Sequence, residues 1–175
     1  FITFLLALLW IMPGHAEVIY LNGLDETQVV HSSIEILEDR AGKLELDDVL
    51  HSKAINRFTS PGKEYFSLGF TDSVYWYRFT INNITEISHQ RLLVLRTAWI
   101  DSAELFIPSV DGSYQRKLMG DWLPFEDREF IHHQLISSLV IPPGESVYLM
   151  RISTPKPFMT PLFLWEPQAF NRFEW

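Results

Sequence analysis

Apolar and polar side chains alternate along most of the chain, a pattern that predicts half-buried β-strands. The clearest case is the segment VYWYRFTIN at residues 74–82. One face of this predicted strand carries only large apolar side chains: Tyr75, Tyr77, Phe79 and Ile81. The other face carries Val74, Trp76, Arg78 and Thr80. The first set has enough apolar surface to bury its own face, which leaves Trp76 and Arg78 on the opposite one.

Seven further runs have the same strand-like character. They occupy residues 18–21, 33–37, 91–99, 103–107, 113–118, 135–141 and 146–154. Asp111-Gly112 is a strong hairpin signal, so the runs on either side of it are expected to pair. Pro143 and Gly144 suit the central positions of a type II turn between the last two runs.

Two segments depart from this pattern. Leu46, Val49 and Leu50 fall at helical spacing, which predicts a helical turn within residues 44–58. Residues 158–165 form a last apolar run that prolines bound on both sides. We expect this run to be an edge strand, because proline cannot donate a hydrogen bond to a sheet ladder.

Short strands with hardly any helix between them predict an all-β fold, a two-layer antiparallel β-sandwich. Parallel α/β folds are excluded because the crossover helices that they need are missing. The chain has 175 residues, enough for one substantial domain and short for two. We therefore expect residues 17–170 to form a single domain.

The first 16 residues are predicted to be a signal peptide. Residues 1–12 (FITFLLALLWIM) are all apolar, but a membrane-spanning helix needs about 20 such residues. Gly14 and Ala16 place small residues at the positions that favour cleavage after Ala16. Since the chain starts at Phe1 with no initiator Met and no basic segment, we expect a signal peptide that is clipped at its N-terminus.

Composition and charge exclude several classes of function. The net charge is −8, whereas binding to nucleic acid or anionic lipid depends on clustered Lys and Arg. The chain has no cysteine, which removes disulfides, thiolate nucleophiles and cysteine-type zinc sites. No G-x-S-x-G motif or glycine-rich phosphate loop is present. We therefore expect neither nucleic-acid binding, nor a cofactor, nor enzymatic activity.

Several short motifs follow one another in an order typical of a known family. They are SLGFTDS at residues 67–73, YWYRF at 75–79, Asn82-Asn83, Gly120-Asp121, Pro124, Arg128, IPPG at 141–144, YLMR at 148–151 and PLFLW at 161–165. In this order, residues 29–170 resemble the type 2 extracellular domain of bacterial receptors with seven transmembrane helices and diverse intracellular signalling modules.

The resemblance implies a jelly-roll-like sandwich, similar to carbohydrate-binding modules, on the periplasmic side of the inner membrane. A seven-helix membrane region would follow, and then an output module such as a diguanylate cyclase or histidine kinase. Residues 171–175 would begin the connection to that region.

Trp76 and Arg78 are the first candidate binding residues, since they share one face of a strand. An indole ring stacks on the C–H face of a sugar, and a neighbouring guanidinium donates paired hydrogen bonds to hydroxyls or a carboxylate. In the alternative interpretation, which we favour, Trp76 fills a second buried layer and Arg78 binds a loop carboxylate.

Residues 120–129 (GDWLPFEDRE) form the second candidate site, with Asp121, Trp122 and Arg128 as the candidate ligand contacts. A solvated loop with an internal pair between Asp121 and Arg128 is an equally good interpretation. Glycosidase chemistry would need two carboxyls about 5–9.5 Å apart across a cleft, which the sequence does not fix. The calcium-loop pattern is absent.

His132-His133 is the one pattern that invites a metal interpretation. Adjacent residues of a strand point to opposite faces, so the pair is not expected to chelate one ion. No H-x-H or H-E-x-x-H spacing occurs either. We therefore expect no metal site.

The sequence thus predicts a periplasmic sensor domain that binds a small molecule or carbohydrate and signals to a membrane region. One alternative is a module for contact with another exported protein or for homodimerisation. Another is a carbohydrate-active enzyme, which would require a cleft with paired carboxylates.

We expect the coding sequence to continue past Trp175 into about seven hydrophobic segments of about 20 residues each. The reason is the family resemblance. Reading the downstream sequence tests this expectation, and a stop codon soon after Trp175 would instead favour a secreted binding module.

Overall fold

A computed structural model of the chain describes residues 17–51, 53–61, 69–157 and 161–174, so the predicted signal peptide lies outside the described residues. The strands found there are β1 (Ile19–Leu21), β2 (Thr27–Val29), β3 (Glu35–Asp39), β4 (Val74–Asn83), β5 (His89–Leu95), β6 (Ser102–Pro108), β7 (Tyr114–Met119), β8 (Leu135–Ile141), β9 (Gly144–Ser153) and β10 (Leu162–Trp165). The helices are α1 (Leu46–His51) and α2 (Pro167–Glu174), and 3₁₀ turns occupy His31–Ser33, Lys53–Arg57 and Phe125–Asp127.

The strands form two sheets, which confirms the all-β sandwich. In sheet A the order is β1-β4-β9-β6-β7, and β3 pairs with β4 beside β1. In sheet B the order is β2-β10-β5-β8. Neighbouring strands are antiparallel, as predicted, except that β1 runs parallel to β4. The predicted hairpin is also confirmed, because β6 pairs with β7 across the turn that contains Gly112.

The main core lies between the two sheets. The predicted apolar face of β4 is part of it, and the opposite wall comes from β5, β8 and β10 of sheet B. Phe79 stacks on Tyr148 of β9, with ring centroids 5.4 Å apart. Burying each large apolar side chain contributes about 1.5–3 kcal/mol, so this layer supplies most of the driving force for folding.

A second, smaller core covers the outer face of sheet A. The helical spacing in residues 44–58 is confirmed, since this segment forms α1 and the turn Lys53–Arg57. Val49, Ala54 and Phe58 from this segment pack over Trp76 and Phe106. The helical segment therefore acts as a partial cover on the sheet.

A third apolar cluster joins α2 to the outer face of sheet B. Phe170 of α2 packs with Leu92, Val94 and Trp165. Residues 171–174, predicted as the start of a connection, belong to α2, and Trp175 lies outside the described residues. None of the helices in the described part of the chain is long and apolar enough to span a bilayer.

Two expectations about strand placement need correction or qualification. The prediction of an edge strand at residues 158–165 is wrong, since β10 lies between β2 and β5. Its outer side is covered because β2, a three-residue strand that was not predicted from the sequence, pairs with it. The predicted turn at Pro143-Gly144 connects β8 and β9, which belong to different sheets and do not pair with each other. Gly144 has a φ of +88°, as the second central position of a type II turn requires. Residues 158–160 lie outside the described residues.

Glu129 connects the edge strands of the two sheets. Its carboxylate accepts hydrogen bonds from Nζ of Lys117 in β7 at 3.0 Å and from Oγ of Ser137 in β8 at 3.0 Å. The Oγ of Ser138 also donates to it. Burial by itself would raise the pKa of Glu129, but these hydrogen bonds hold it below its ordinary value.

We expect Glu129→Gln to lower the free energy of unfolding by about 1 kcal/mol at pH 7, a moderate value because the side chain is 35% exposed. A depressed pKa in the folded state means that the stabilisation is present above the ordinary value of 4.5 and is lost as the pH falls through the folded-state pKa. Urea unfolding of both proteins between neutral pH and pH about 3 measures the difference, which should shrink on acidification. Glu126→Gln, an exposed position on the same loop, is the control, and an equal loss in both variants would contradict the role of Glu129.

Candidate ligand site

Trp76 does not offer a ring face to a ligand. Its side chain is completely buried, and it stacks on Phe106 with ring centroids 5.4 Å apart. The predicted stacking platform is therefore corrected: α1 and the following turn occupy the space above the indole. The alternative in which Trp76 fills a second buried layer describes its position.

Arg78 lies two residues farther along the same face of β4, where the helical cover ends. Its Nε donates to Oε2 of Glu35 at 2.6 Å, and its Nη1 donates to the carbonyl of Ile55 at 3.3 Å. The guanidinium also lies over the ring of Phe58, 4.4 Å from the centroid. The carboxylate partner is on the neighbouring strand β3, whose register places Glu35 directly opposite Arg78.

The cover and the sheet leave an open cleft of about 390 Å³ beside Arg78. We call it the Arg78 cleft, and it is lined by Glu35, Val49, Leu50, Ile55, Arg78, Thr80, Tyr114, Val147 and Leu149. Side chains of α1 form one wall, Tyr114 of β7 forms the other, and β4 and β9 form the floor. An apolar cleft of this volume with a few convergent polar groups has the properties of a small-molecule site.

Tyr114, Arg78 and Thr80 are polar groups of the cleft that could form hydrogen bonds with a ligand. The Tyr114 hydroxyl donates to the carbonyl of Val147 at 3.3 Å. Burial raises the pKa of Tyr114, so the phenol stays protonated at neutral pH. Among the described residues nothing accepts a hydrogen bond from Nη2 of Arg78, which leaves that donor for a ligand. Thr80, partly exposed, adds a hydroxyl that both donates and accepts.

The second candidate site, residues 120–129, is anchored to the segment that precedes β6. The backbone N–H groups of Asp121 and Trp122 donate to the carbonyls of Ile100 and Asp101 at 2.8 and 3.0 Å. Gly120 has a φ of +117°, and a Cβ at this position would lie 2.6 Å from the Asp101 carbonyl oxygen. Only glycine permits this close approach, so the attachment of the loop to residues 100 and 101 depends on Gly120.

Within this loop the predicted internal ion pair is present. Nη2 of Arg128 donates to Oδ1 of Asp121 at 3.2 Å, and the guanidinium lies 5.1 Å from the centroid of the Phe125 ring. The space beside Arg128 measures only about 10 Å³, which is room for a single water at most. Trp122 is 76% exposed and is the more exposed of the two aromatic side chains of this loop, since Phe125 is 47% exposed.

The two predicted groups form separate sites, because no residue that lines the Arg78 cleft also lines the space beside Arg128. The ligand-binding roles of Arg78, Asp121, Trp122 and Arg128 stay predictions. Sequence reasoning missed Glu35 and Tyr114, which come from strands whose register the sequence does not reveal. Thr80 could have been found, since alternation places it on the same face as Arg78.

A larger cleft of about 660 Å³ runs beside β3. Two of its charged side chains, Glu38 and Arg40, pair with each other at 3.2 Å, and Arg40 is 85% exposed. A solvated surface pair of this kind discriminates poorly between ligands. The Arg78 cleft is smaller but combines partly buried polar groups with an apolar floor, so it is the better candidate.

Comparison with family models identifies a family that matches most of the chain. The family model for "7TMR-DISM extracellular 2" matches residues 31–166, which confirms the family that the motifs indicated. A search of the curated proteins finds no match.

The two tryptophans provide a test of the site geometry. We expect Trp76→Ala to destabilise the domain by about 3–5 kcal/mol, because it leaves a large cavity in the second core. Trp122→Ala should change stability by less than about 0.5 kcal/mol, because the exposed ring supports no core. Denaturant unfolding measures both values, and similar losses in the two variants would contradict the arrangement.

Proposed function

Because this chain belongs to the 7TMR-DISM extracellular 2 family, we propose that it binds a small molecule or carbohydrate in the Arg78 cleft and signals through the attached membrane region. The domain is an extracellular sensor domain of a membrane receptor and lies on the periplasmic side of the membrane. The family is one of sensors, and the proposal for this chain is binding without catalysis.

The observation that carries the proposal is the combination of donors and apolar surface in the Arg78 cleft. The guanidinium of Arg78 is fixed by Glu35 and Ile55 and keeps one N–H edge open. Thr80 and Tyr114 place hydroxyls around an apolar floor that includes Val147 and Leu149. A ligand with hydroxyl or carboxylate groups on one side and C–H groups on the other matches this distribution, and sugars have this property.

A ligand bound in the Arg78 cleft would be able to affect the rest of the domain through the elements that it contacts. The ligand would touch both α1 and β4, and β4 continues into the main core through its inner face. A ligand that prefers one position of the cover would shift the equilibrium between cover positions in proportion to its difference in affinity. We further propose that α2 leads on to a seven-helix membrane region with a diguanylate cyclase or histidine kinase as output.

The same proposal includes export by residues 1–16 as a signal peptide. The support is the uninterrupted apolar run and the small residues at positions 14 and 16. The domain would then comprise residues 17–170.

Exposed apolar side chains near the loop at residues 120–129 favour a second candidate function, contact with another protein or with a second copy of the chain. Trp122, Phe125, Leu118 and Ile131 are each about half exposed or more. A surface of this kind is typical of interfaces that form and dissociate.

A binding screen of two variants tests the proposed site. We expect Arg78→Ala to weaken binding of a saccharide or small carboxylate at least about tenfold, the loss of one good polar contact. The variant should also lose about 1–3 kcal/mol of stability, because the Glu35 carboxylate is left unpaired. Thermal shift against a library of saccharides and metabolites, followed by titration of the hits, measures both effects.

Arg40→Ala is the matched control, since it removes a positive charge from a side chain that is 85% exposed, pairs with Glu38 and lies outside the cleft. Trp122→Ala reports on the second candidate site. Unchanged binding in both Arg78→Ala and Trp122→Ala would refute the proposed sites. Lower stability of Arg78→Ala with binding intact would show that Arg78 is purely structural.

A further inference from the structure

His132 and His133 lie in a bend between the turn Phe125–Asp127 and β8, and they are not part of a strand. The expectation that their side chains point to opposite faces is therefore wrong, because the strand geometry on which it rests is absent. Their ring centroids are only 4.2 Å apart. Adjacent histidines in this conformation present their nitrogens on the same side of the chain.

Glu174, in the last turn of α2, completes a group of three. Its Oε2 lies 3.3 Å from Nε2 of His132, and one potential ligand atom from each of the three side chains lies within 4.8 Å of the others. The side chains of His132 and Glu174 are 21% and 22% exposed, although Glu174 taken as a whole residue is exposed, as His133 is. Hydrogen bonds hold His132 to the Gln134 backbone and to Glu174.

We propose that His132, His133 and Glu174 bind a divalent transition-metal ion, with Zn²⁺ as the best match. Two histidine nitrogens and one carboxylate oxygen form a ligand set that suits Zn²⁺, and a water molecule fills the fourth position. Bonds of about 2.0–2.1 Å in a tetrahedron place two ligand atoms about 3.3–3.4 Å apart. The observed separation between His132 and Glu174 already has this value, so only His133 has to move closer.

The tautomer of His132 changes when the metal binds. In the metal-free state the backbone N–H of Gln134 donates to Nδ1 of His132 at 3.0 Å, so the neutral ring carries its proton on Nε2 and donates to Glu174. A metal bond at Nε2 requires the proton to move to Nδ1, which breaks the bond from Gln134. The hydrogen bonds of His132 with the Gln134 backbone and with Glu174 are lost, and three metal–ligand bonds replace them.

Gln134 orients the other two ligands. Its side-chain Nε2 lies 3.3 Å from Oε1 of Glu174 and 3.4 Å from Nε2 of His133. The amide thus bridges the carboxylate and the exposed imidazole in the metal-free protein. Partners of this kind fix the orientation of metal ligands, which makes Gln134 a positioning residue.

The metal would connect two parts of the fold that are far apart in sequence. Glu174 lies 42 residues after His132, at the end of the helix that packs on sheet B. A bound ion would fix the last turn of α2 to the segment that precedes β8. Metal binding would therefore slow the local opening of α2 without being needed for the sandwich to fold.

Titration of chelator-treated protein with Zn²⁺ by calorimetry is the first experiment, and we expect one ion per chain. His133→Ala should weaken binding at least about tenfold, since even the loss of an outer partner costs this much in metal sites. Glu174→Gln should do the same, because an amide oxygen is a weaker ligand than a carboxylate. His51→Ala, at an exposed histidine at the end of α1, is the matched control and should bind as the unaltered protein does.

Hydrogen exchange locates the bound ion independently of its affinity. Added Zn²⁺ should slow exchange in α2 and shift the Gln134 amide resonance, and neither change should occur in His133→Ala. Because His133 is exposed, its removal should leave the fold unchanged, and a melting curve of each variant verifies that the sandwich is intact. Absence of binding at a dissociation constant of about 1 mM or tighter would overturn the proposal, as would equal affinity in the unaltered protein and both ligand variants.

Discussion

The structure depends on the burial of β4 on both faces. Tyr77 and Trp76 are neighbours that point in opposite directions, and both are completely buried. Such a strand needs apolar material above and below it, so sheet B packs on one side and the segment around α1 packs on the other. This segment covers Trp76 and stops before Thr80, so the edge of the cover and the remaining floor of the sheet create the Arg78 cleft. The cleft is thus a direct result of a cover that is shorter than the strand beneath it.

A charged network fixes the position of this cover. Glu104, which is almost fully buried, binds Nη1 of Arg151 at 2.8 Å and Nε of Arg116 at 2.7 Å. Arg151 also donates to the carbonyl of Gly42, in the segment that leads into α1. Two cations around one carboxylate satisfy its lone pairs, so the group tolerates burial that an unpaired charge would not. The Glu104–Arg151–Arg116 network on the outer face of sheet A therefore positions the segment around α1 over Trp76 and Phe106.

Local patterns in the sequence predicted much of the fold, and long-range pairing set the limit. Alternation alone assigned the two faces of β4, and the Asp111-Gly112 turn identified the β6–β7 hairpin, because both features depend on residues close in sequence. The internal position of β10 could not be predicted, since it depends on pairing with a three-residue strand at the other end of the chain. Only part of the Arg78 cleft could be predicted, for the same reason. Alternation places Arg78 and Thr80 on one face of β4, whereas the positions of Glu35 and Tyr114 depend on how distant strands pair. His132 and His133 show the opposite error, in which a strand rule was applied to a bend.

Pairing between β2 and β10, the first and last strands of sheet B along the chain, limits how early the domain is able to complete its fold. Nδ1 of His31 lies 3.2 Å from the carbonyl of Leu162, 131 residues later, and β2 completes sheet B only by pairing with β10. Loop closure over such a distance costs little free energy, about 0.6 kcal/mol for each doubling of length, but it slows folding because non-local pairs form late. A chain that emerges N-terminus first presents β2 long before β10, so β2 is unable to complete sheet B until β10 has also emerged. Until then the edges of β2 and β5 that β10 joins are unpaired, and unpaired edges of this kind favour aggregation.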